Sequence, residues 1–146
     1  MPALDTYLKN QANQEAKKVV VAVYVLCPKD SGNIIGYYTL STSSIETTQL
    51  PENIKKKLPR YDALPTMLIG RLAVDQQYQG KKLGAHLLAN ALQRCLKLSQ
   101  KIGAMAVVVD AKDEGAVQFY EHYGFRRFKD RPFSLYMPML EIQKLA

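Results

Sequence analysis

The segment Gln79-Gly80-Lys81-Lys82-Leu83-Gly84-Ala85 has the residue types and spacing to hold an anion. It follows an apolar run, Met67 to Val74, that reads as a strand, and it leads into a long amphipathic helical pattern. The first N–H groups of a helix have no intrahelical acceptor, and the aligned peptide dipoles make that end positive. A phosphate or pyrophosphate docked there meets both the donors and the field. Gly80 and Gly84 let the backbone come close, while Lys81 and Lys82 add full positive charges. The chemistry implied is binding of a phosphate-bearing cofactor. Two common forms do not fit this loop: a dinucleotide fingerprint needs G-x-G-x-x-G, and a P-loop needs Gly-Lys-Ser/Thr.

The elements that must position this loop can be read on either side of it. Leu4 to Lys18 reads as a polar helix, with Leu4, Leu8, Ala12 and Ala16 near helical spacing. Val19 to Leu26 is rich in β-branched residues and reads as a buried strand. Pro28 to Asn33 is turn chemistry, and Ile34 to Thr42 reads as the second strand of an antiparallel hairpin. Ser43 to Pro65 is a long polar connection with a short helix at Glu52 to Leu58. After the loop, Leu83 to Ile102 carries one apolar face (Leu87, Leu88, Ala91, Leu92, Cys95, Leu98) and stops at Gly103. Ala104 to Val109 is a buried strand, Glu114 to Tyr123 a short helix closed by Gly124, and Phe133 to Met137 a last strand. Strand, helix, strand with buried apolar runs implies parallel pairing inside a mixed sheet. The fold class is α/β (α+β).

At 146 residues and 47% hydrophobic, the chain reads as a single domain, 1–146, with a real core. No apolar stretch is long enough to span a bilayer, and the N-terminus lacks a signal-peptide core, so a cytoplasmic protein is expected. Cys27, Cys95, His86 and His122 have no metal-ligand spacing; the cysteines read as buried free thiols, and no metal is expected. The net charge is +7, with basic clusters at Lys55-Lys56-Lys57, at Lys81-Lys82 and at Arg126-Arg127 through Lys129 and Arg131. A single lysine run usually means only solvated surface. Three of them make a polyanion partner worth carrying forward.

The loop Gln79-x-x-Lys82-x-Gly84-Ala85, followed by Asp113-x-x-Ala116-x-x-Phe119-Tyr120-x-x-x-Gly124-Phe125, resembles the GNAT family of acetyl-CoA-dependent N-acetyltransferases. That family's loop reads Arg/Gln-x-x-Gly-x-Gly/Ala, and its later helix ends in Tyr-x-x-x-Gly-Phe. The resemblance implies a mixed central sheet flanked by helices. It implies acetyl-CoA bound through the backbone of Leu72, Ala73 and Val74 and through Gln79, Gly80, Lys81, Lys82, Leu83, Gly84 and Ala85. Lys82 departs from the pattern, standing where the loop has its first glycine. Its side chain either faces solvent or meets cofactor phosphate; a left-handed backbone there would be strained and would weaken binding. The family begins with a strand that this chain is expected to lack.

Leu4-Asp5-x-Tyr7-Leu8-x-x-Gln11-Ala12, Gly36-Tyr37-Tyr38-x-Leu40 and Gly70-Arg71-Leu72-Ala73-Val74 look like the GNAT toxins of toxin–antitoxin pairs. Those enzymes acetylate the α-amino group of an aminoacyl-tRNA and stop translation, and they pair with a ribbon-helix-helix antitoxin. A homodimer is left open.

Many GNAT enzymes place a base on the strand before the loop, yet Thr66 to Val74 holds no carboxylate. A lysine amine near about 10.4 would need help to lose its proton, whereas an α-amine near about 7.7–8.0 is partly neutral already. Tyr120 is the candidate general acid, since a phenol near about 10 stays protonated at neutral pH; on its own it would read as a half-buried helix aromatic. Asp113 either approaches the cofactor or caps its helix. Arg71 forms a structural ion pair or faces substrate phosphate. Lys55, Lys56, Lys57, Arg126, Arg127 and Lys129 are the candidate RNA contacts. The competing readings are acetylation of a small amine or a protein N-terminus, and a CoA- or RNA-binding module without turnover.

Overall fold

The computed structural model describes residues 6–10, 21–28, 32–46, 51–56, 63–80 and 82–145. In chain order the elements are β1 (Thr6–Asn10), β2 (Ala22–Pro28), β3 (Gly36–Glu46), α1 (Glu52–Lys55), β4 (Ala63–Val74), a 3-10 turn (Gln76–Tyr78), α2 (Leu83–Ile102), β5 (Ala106–Asp110), α3 (Glu114–His122), β6 (Arg126–Arg127), β7 (Ser134–Pro138) and α4 (Met139–Leu145). The strands follow the hydrogen-bonded order β1-β2-β3-β4-β5-β7-β6. The backbone divides into two compact units, Met1–Ser41 with Ile69–Leu92, and Thr42–Leu68 with Gln93–Ala146.

In the first unit, β2 and β3 form the expected antiparallel hairpin. Tyr24 lies opposite Tyr38, and their rings stack at 5.2 Å. The Tyr38 hydroxyl donates to Asn90 Oδ1 at 2.6 Å, tying β3 to α2. The apolar stripe of α2 fixes its first turns, with Leu83, Leu87, Leu88 and Ala91 all buried. Burying each such leucine is worth roughly 1.5–3 kcal/mol, more than its helix propensity supplies.

In the second unit, Met105 N–H donates to Pro65 O at 2.8 Å. That bond sets the start of β5 beside the start of β4, the parallel sense a helical crossover requires. β5 then pairs antiparallel with β7, Val108 opposite Tyr136. Val108 and Tyr136 pack with Ile45, Leu64 and Phe128 as one buried cluster. Asp113 caps α3, and Gly124 ends it at φ 102°, a backbone that side chains rarely adopt.

Several expectations need correction. The helix expected over Leu4 to Lys18 is a strand at Thr6–Asn10, and residues 11–18 lie outside the described residues. The first strand is therefore present, paired antiparallel with β2. An isolated amphipathic helix of that length is marginal, while the outer edge of β2 offers a row of unpaired N–H and C=O groups. Thr6 and Tyr7 are also good strand formers. β3 and β4 reach farther than expected, to Glu46 and back to Ala63, which shortens the polar connection. β6 and α4 were not foreseen: a two-residue strand and a seven-residue terminal helix give too little periodic signal. The long helix Leu83–Ile102 falls where its pattern placed it.

Gly36 is a tight position. A Cβ there would lie 3.0 Å from Leu87 Cδ1 and 3.1 Å from the Ala73 carbonyl oxygen. Gly36→Ala is expected to lower stability by about 1–3 kcal/mol through overpacking, read as a fall in Tm, and to weaken acetyl-CoA binding by shifting Ala73.

Candidate functional site

The loop leaving β4 is built by local hydrogen bonds. The Asp75 carboxylate accepts from Gln77 N–H at 2.9 Å, and its carbonyl accepts from Tyr78 N–H at 2.9 Å. Asp75 N–H donates to Ile35 O at 2.8 Å, holding the strand end against the hairpin. The Gln79 side chain donates to Val74 O at 3.2 Å, so one backbone acceptor expected to face a pantetheine arm is already engaged from within the loop. The chain then turns through positive φ at Gly80 (85°) and at Lys82 (61°).

Lys82 thus has the left-handed backbone of the glycine it replaces. Its side chain is exposed, and its carbonyl accepts from His86 N–H at 3.1 Å as the first bond of α2. The N–H groups of Leu83, Gly84 and Ala85 open the helix, where no intrahelical acceptor exists for them. Leu83 contributes only its backbone, because its side chain is 1% exposed and part of the core. These amides, two positive-φ residues and a cation fit a pyrophosphate. Lys81 lies outside the described residues. Leu72 and Val74 are half-buried and Ala73 is exposed. Arg71 is exposed, and its N–H donates to Thr39 Oγ1 at 3.0 Å. No ion pair of its guanidinium is seen among the described residues.

The second unit holds Tyr120, the candidate acid. Tyr120 is 5% exposed, with edge-on rings from Phe119 at 5.3 Å and Phe125 at 5.5 Å. Burial, and secondarily the negative charge of Asp110, push its phenol up to about 12. It therefore stays protonated across the range in which an amine becomes neutral. Asp110 ends β5 opposite Ser134, whose hydroxyl donates to its carboxylate at 2.9 Å. Neither residue was picked out from sequence. The usable signal was a carboxylate at the C-terminal end of a buried strand, where ligands of α/β sheets gather.

Asp113, expected either near the cofactor or as a cap, caps: its carboxylate accepts from Ala116 N–H at 2.8 Å. Arg127 is tied to Glu114 at 2.8 Å and Glu121 at 3.1 Å, and Arg126 to Glu141. Lys56 and Lys129 are exposed, Lys55 lies in α1, and Lys57 is outside the described residues. Tyr123 is 39% exposed, its ring against those of Phe119 and His122. Cys27 and Cys95 are buried free thiols as expected, and burial pushes Cys95 up to about 12. Among the described residues no helix is long and apolar enough to cross a membrane.

Comparison with known proteins adds three findings. The acetyltransferase (GNAT) domain model matches residues 3–139. A tRNA-acetylating toxin of Mycobacterium tuberculosis is 33% identical over 144 residues, covering 99% of this chain and 84% of the relative. Two solved structures share the fold. AtaT complexed with acetyl-methionyl-tRNAfMet has a TM-score of 0.86 at 26% identity, covering 97% of this chain and 99% of that one. AtaTR bound with AcCoA has a TM-score of 0.80 at 27% identity, covering 97% and 98%.

The strained lysine yields a direct test. A left-handed non-glycine residue costs roughly 1–2 kcal/mol, and a new glycine gives back about 0.5–1 kcal/mol in entropy. Lys82→Gly is therefore expected to raise Tm by a few degrees. The lost charge should weaken acetyl-CoA binding about two- to fivefold at low salt, consistent with about 0.5–1 kcal/mol for an exposed pair. The difference should close at high salt, as calorimetric titration would show.

Proposed function

The chain belongs to the GNAT acetyltransferases, and from that premise we propose that it transfers the acetyl group of acetyl-CoA to the α-amino group of an aminoacyl-tRNA. The observation that carries this reading is a buried, protonated Tyr120 in a chain whose β4 holds no carboxylate. An acid is available for the leaving thiolate, while the base that a lysine acceptor would need is missing from the usual strand. An α-amine, near about 7.7–8.0 and lower beside an ester, needs the least help. The likeness to a tRNA-acetylating toxin supports the same acceptor.

In this reading the loop from Gln79 to Ala85 holds the pyrophosphate through backbone N–H groups and Lys82. The backbone of β4 from Leu72 to Val74 aligns the pantetheine arm. The neutral amine nitrogen attacks the acetyl carbon and gives up a proton to water, the C–S bond breaks, and the thiolate takes the Tyr120 proton, which water then restores. Whole-chain 1–146 works as one acetyltransferase domain. Lys56 and Lys129, exposed, are the first candidates for tRNA phosphate. Arg126 and Arg127 would have to give up carboxylate partners to serve, and Arg71, exposed and without an ion pair among the described residues, is a candidate for the same task. A translation-blocking enzyme needs a restraining partner in the cell that makes it. The proposed one is a ribbon-helix-helix antitoxin, with action in the cytoplasm.

Two measurements test this. Labelled acetyl-CoA with total charged tRNA should place label in charged but not uncharged tRNA, with KM for tRNA rising steeply with salt. Label confined to small amines, insensitive to salt, would overturn the acceptor assignment. Tyr120→Phe should keep acetyl-CoA affinity and lose about 10²–10⁴-fold in kcat. In the wild type the alkaline limb that reports this acid should fall near about 12 rather than near the ordinary 10. Because the fold favours the neutral phenol, the stability it lends is complete below the unfolded value and is lost as pH rises through the folded one.

A further inference from the structure

We propose that the Thr39 hydroxyl is a positioning group for acetyl-CoA. It holds the Arg71 amide to β3 and so turns the backbone groups of Leu72 and Val74 toward the pantetheine arm. The inference rests on the acetyl-transfer reading above, in which those backbone groups align the arm, and it names the side chain that aims them.

It starts from how β3 and β4 meet within the first unit. Asp75 N–H donates to Ile35 O at 2.8 Å, and Arg71 N–H donates to Thr39 Oγ1 at 3.0 Å. The two bonds lie four residues apart on each strand and in opposite order, so the strands are antiparallel and their register is unbroken between the bonds. Midway, the Ala73 carbonyl oxygen lies against Gly36, 3.1 Å from where a Cβ would stand. Peptide groups of successive residues alternate sides along a strand. With Arg71, Ala73 and Asp75 turned to β3, the N–H and C=O groups of Leu72 and Val74 turn to the opposite side of β4. A slip of one residue would exchange the two sets. Val74 O already accepts from the Gln79 side chain at 3.2 Å. Leu72 N–H, Leu72 O and Val74 N–H are then the groups this arrangement assigns to the arm.

The anchor at Arg71 differs in kind from the one at Asp75. At Asp75 the acceptor is a backbone carbonyl, which any residue at position 35 would supply. At Arg71 it is a side-chain hydroxyl, so the residue type at position 39 decides whether the bond exists. Gly70 makes the room for it, because a Cβ there would stand 3.0 Å from Thr39 Oγ1. Thr39 is only half-buried, so burial alone does not force its hydroxyl onto an amide. Glycine and threonine are matched across the two strands for one bond, and that bond falls on the residue before Leu72.

The test compares the affinities of two ligands by calorimetric titration: acetyl-CoA, and ADP, which carries a pyrophosphate and no pantetheine. Thr39→Val keeps the branched shape and removes the hydroxyl. It should weaken acetyl-CoA binding about three- to tenfold, the size of one lost hydrogen bond, and leave the Kd for ADP unchanged. Thr39→Ser, which keeps the hydroxyl, should bind both ligands as wild type does. Gly70→Ala should copy Thr39→Val. With no ligand present, NMR hydrogen exchange should find the Arg71 amide less protected in Thr39→Val and Gly70→Ala, with the amides of α2 unchanged.

Thr39→Val with wild-type affinity for acetyl-CoA overturns the inference alone. So does an equal loss for ADP, which would mark a general loosening of the unit. Should Thr39→Val not fold, Thr39→Ala carries the same comparison, and loss of folding in both overturns a positioning role. Wild type that binds acetyl-CoA no more tightly than ADP, or binds neither, overturns the acetyl-CoA reading and the inference with it.

Discussion

The burial of Leu83, Leu87 and Leu88 beneath the first turns of α2 is the constraint on which the binding loop depends. It fixes where the helix starts, and the hairpin bond from Asp75 N–H to Ile35 O fixes where β4 ends. Residues 75–82 must close the distance between two immovable ends. They do so with one 3-10 turn and two left-handed residues, Gly80 and Lys82. The strain at Lys82 is stored by the apolar contacts of the helix that follows it. The result is a helix start with free amides at a defined place, which is what a phosphate requires.

A different force shapes the second unit. Phe119 and Phe125 enclose Tyr120 and remove it from water, raising its phenol. Around it, arginines are used to silence carboxylates rather than to advertise positive charge. Arg127 bridges Glu114 and Glu121, and Arg126 meets Glu141. These are exposed pairs screened by solvent, so their consequence is for the local field more than for stability. The negative charge of Asp110 adds to that burial in raising the Tyr120 phenol.

The candidate site was legible to the extent that it depends on backbone. Gly84 and the pattern Phe119-Tyr120-x-x-x-Gly124-Phe125 mark places where chain geometry restricts residue type, so the residue type gives the place away. The core helix was legible for a similar reason, since twenty residues of period 3.6 leave little else to be. Thr6–Asn10 was misread because its helical spacing was a weak local preference, overruled by the unpaired edge of β2. Asp110 and Ser134 escaped notice because they are 24 apart in sequence and meet only through strand register.

By itself the sequence determined the periodicities, the glycine-bearing loop, the tyrosine with its flanking aromatics and the absence of a carboxylate on β4. Those are properties of neighbours along the chain, and local sterics and spacing decide them. Only the tertiary structure decided which charges survive. The fate of Arg126, Arg127, Asp113 and Asp110 depends on what folding brings within about 3 Å, the distance over which a hydrogen-bonded ion pair forms. The same holds for Lys82: its identity could be read as an oddity, but its left-handed backbone is imposed by two distant elements whose packing no local pattern records.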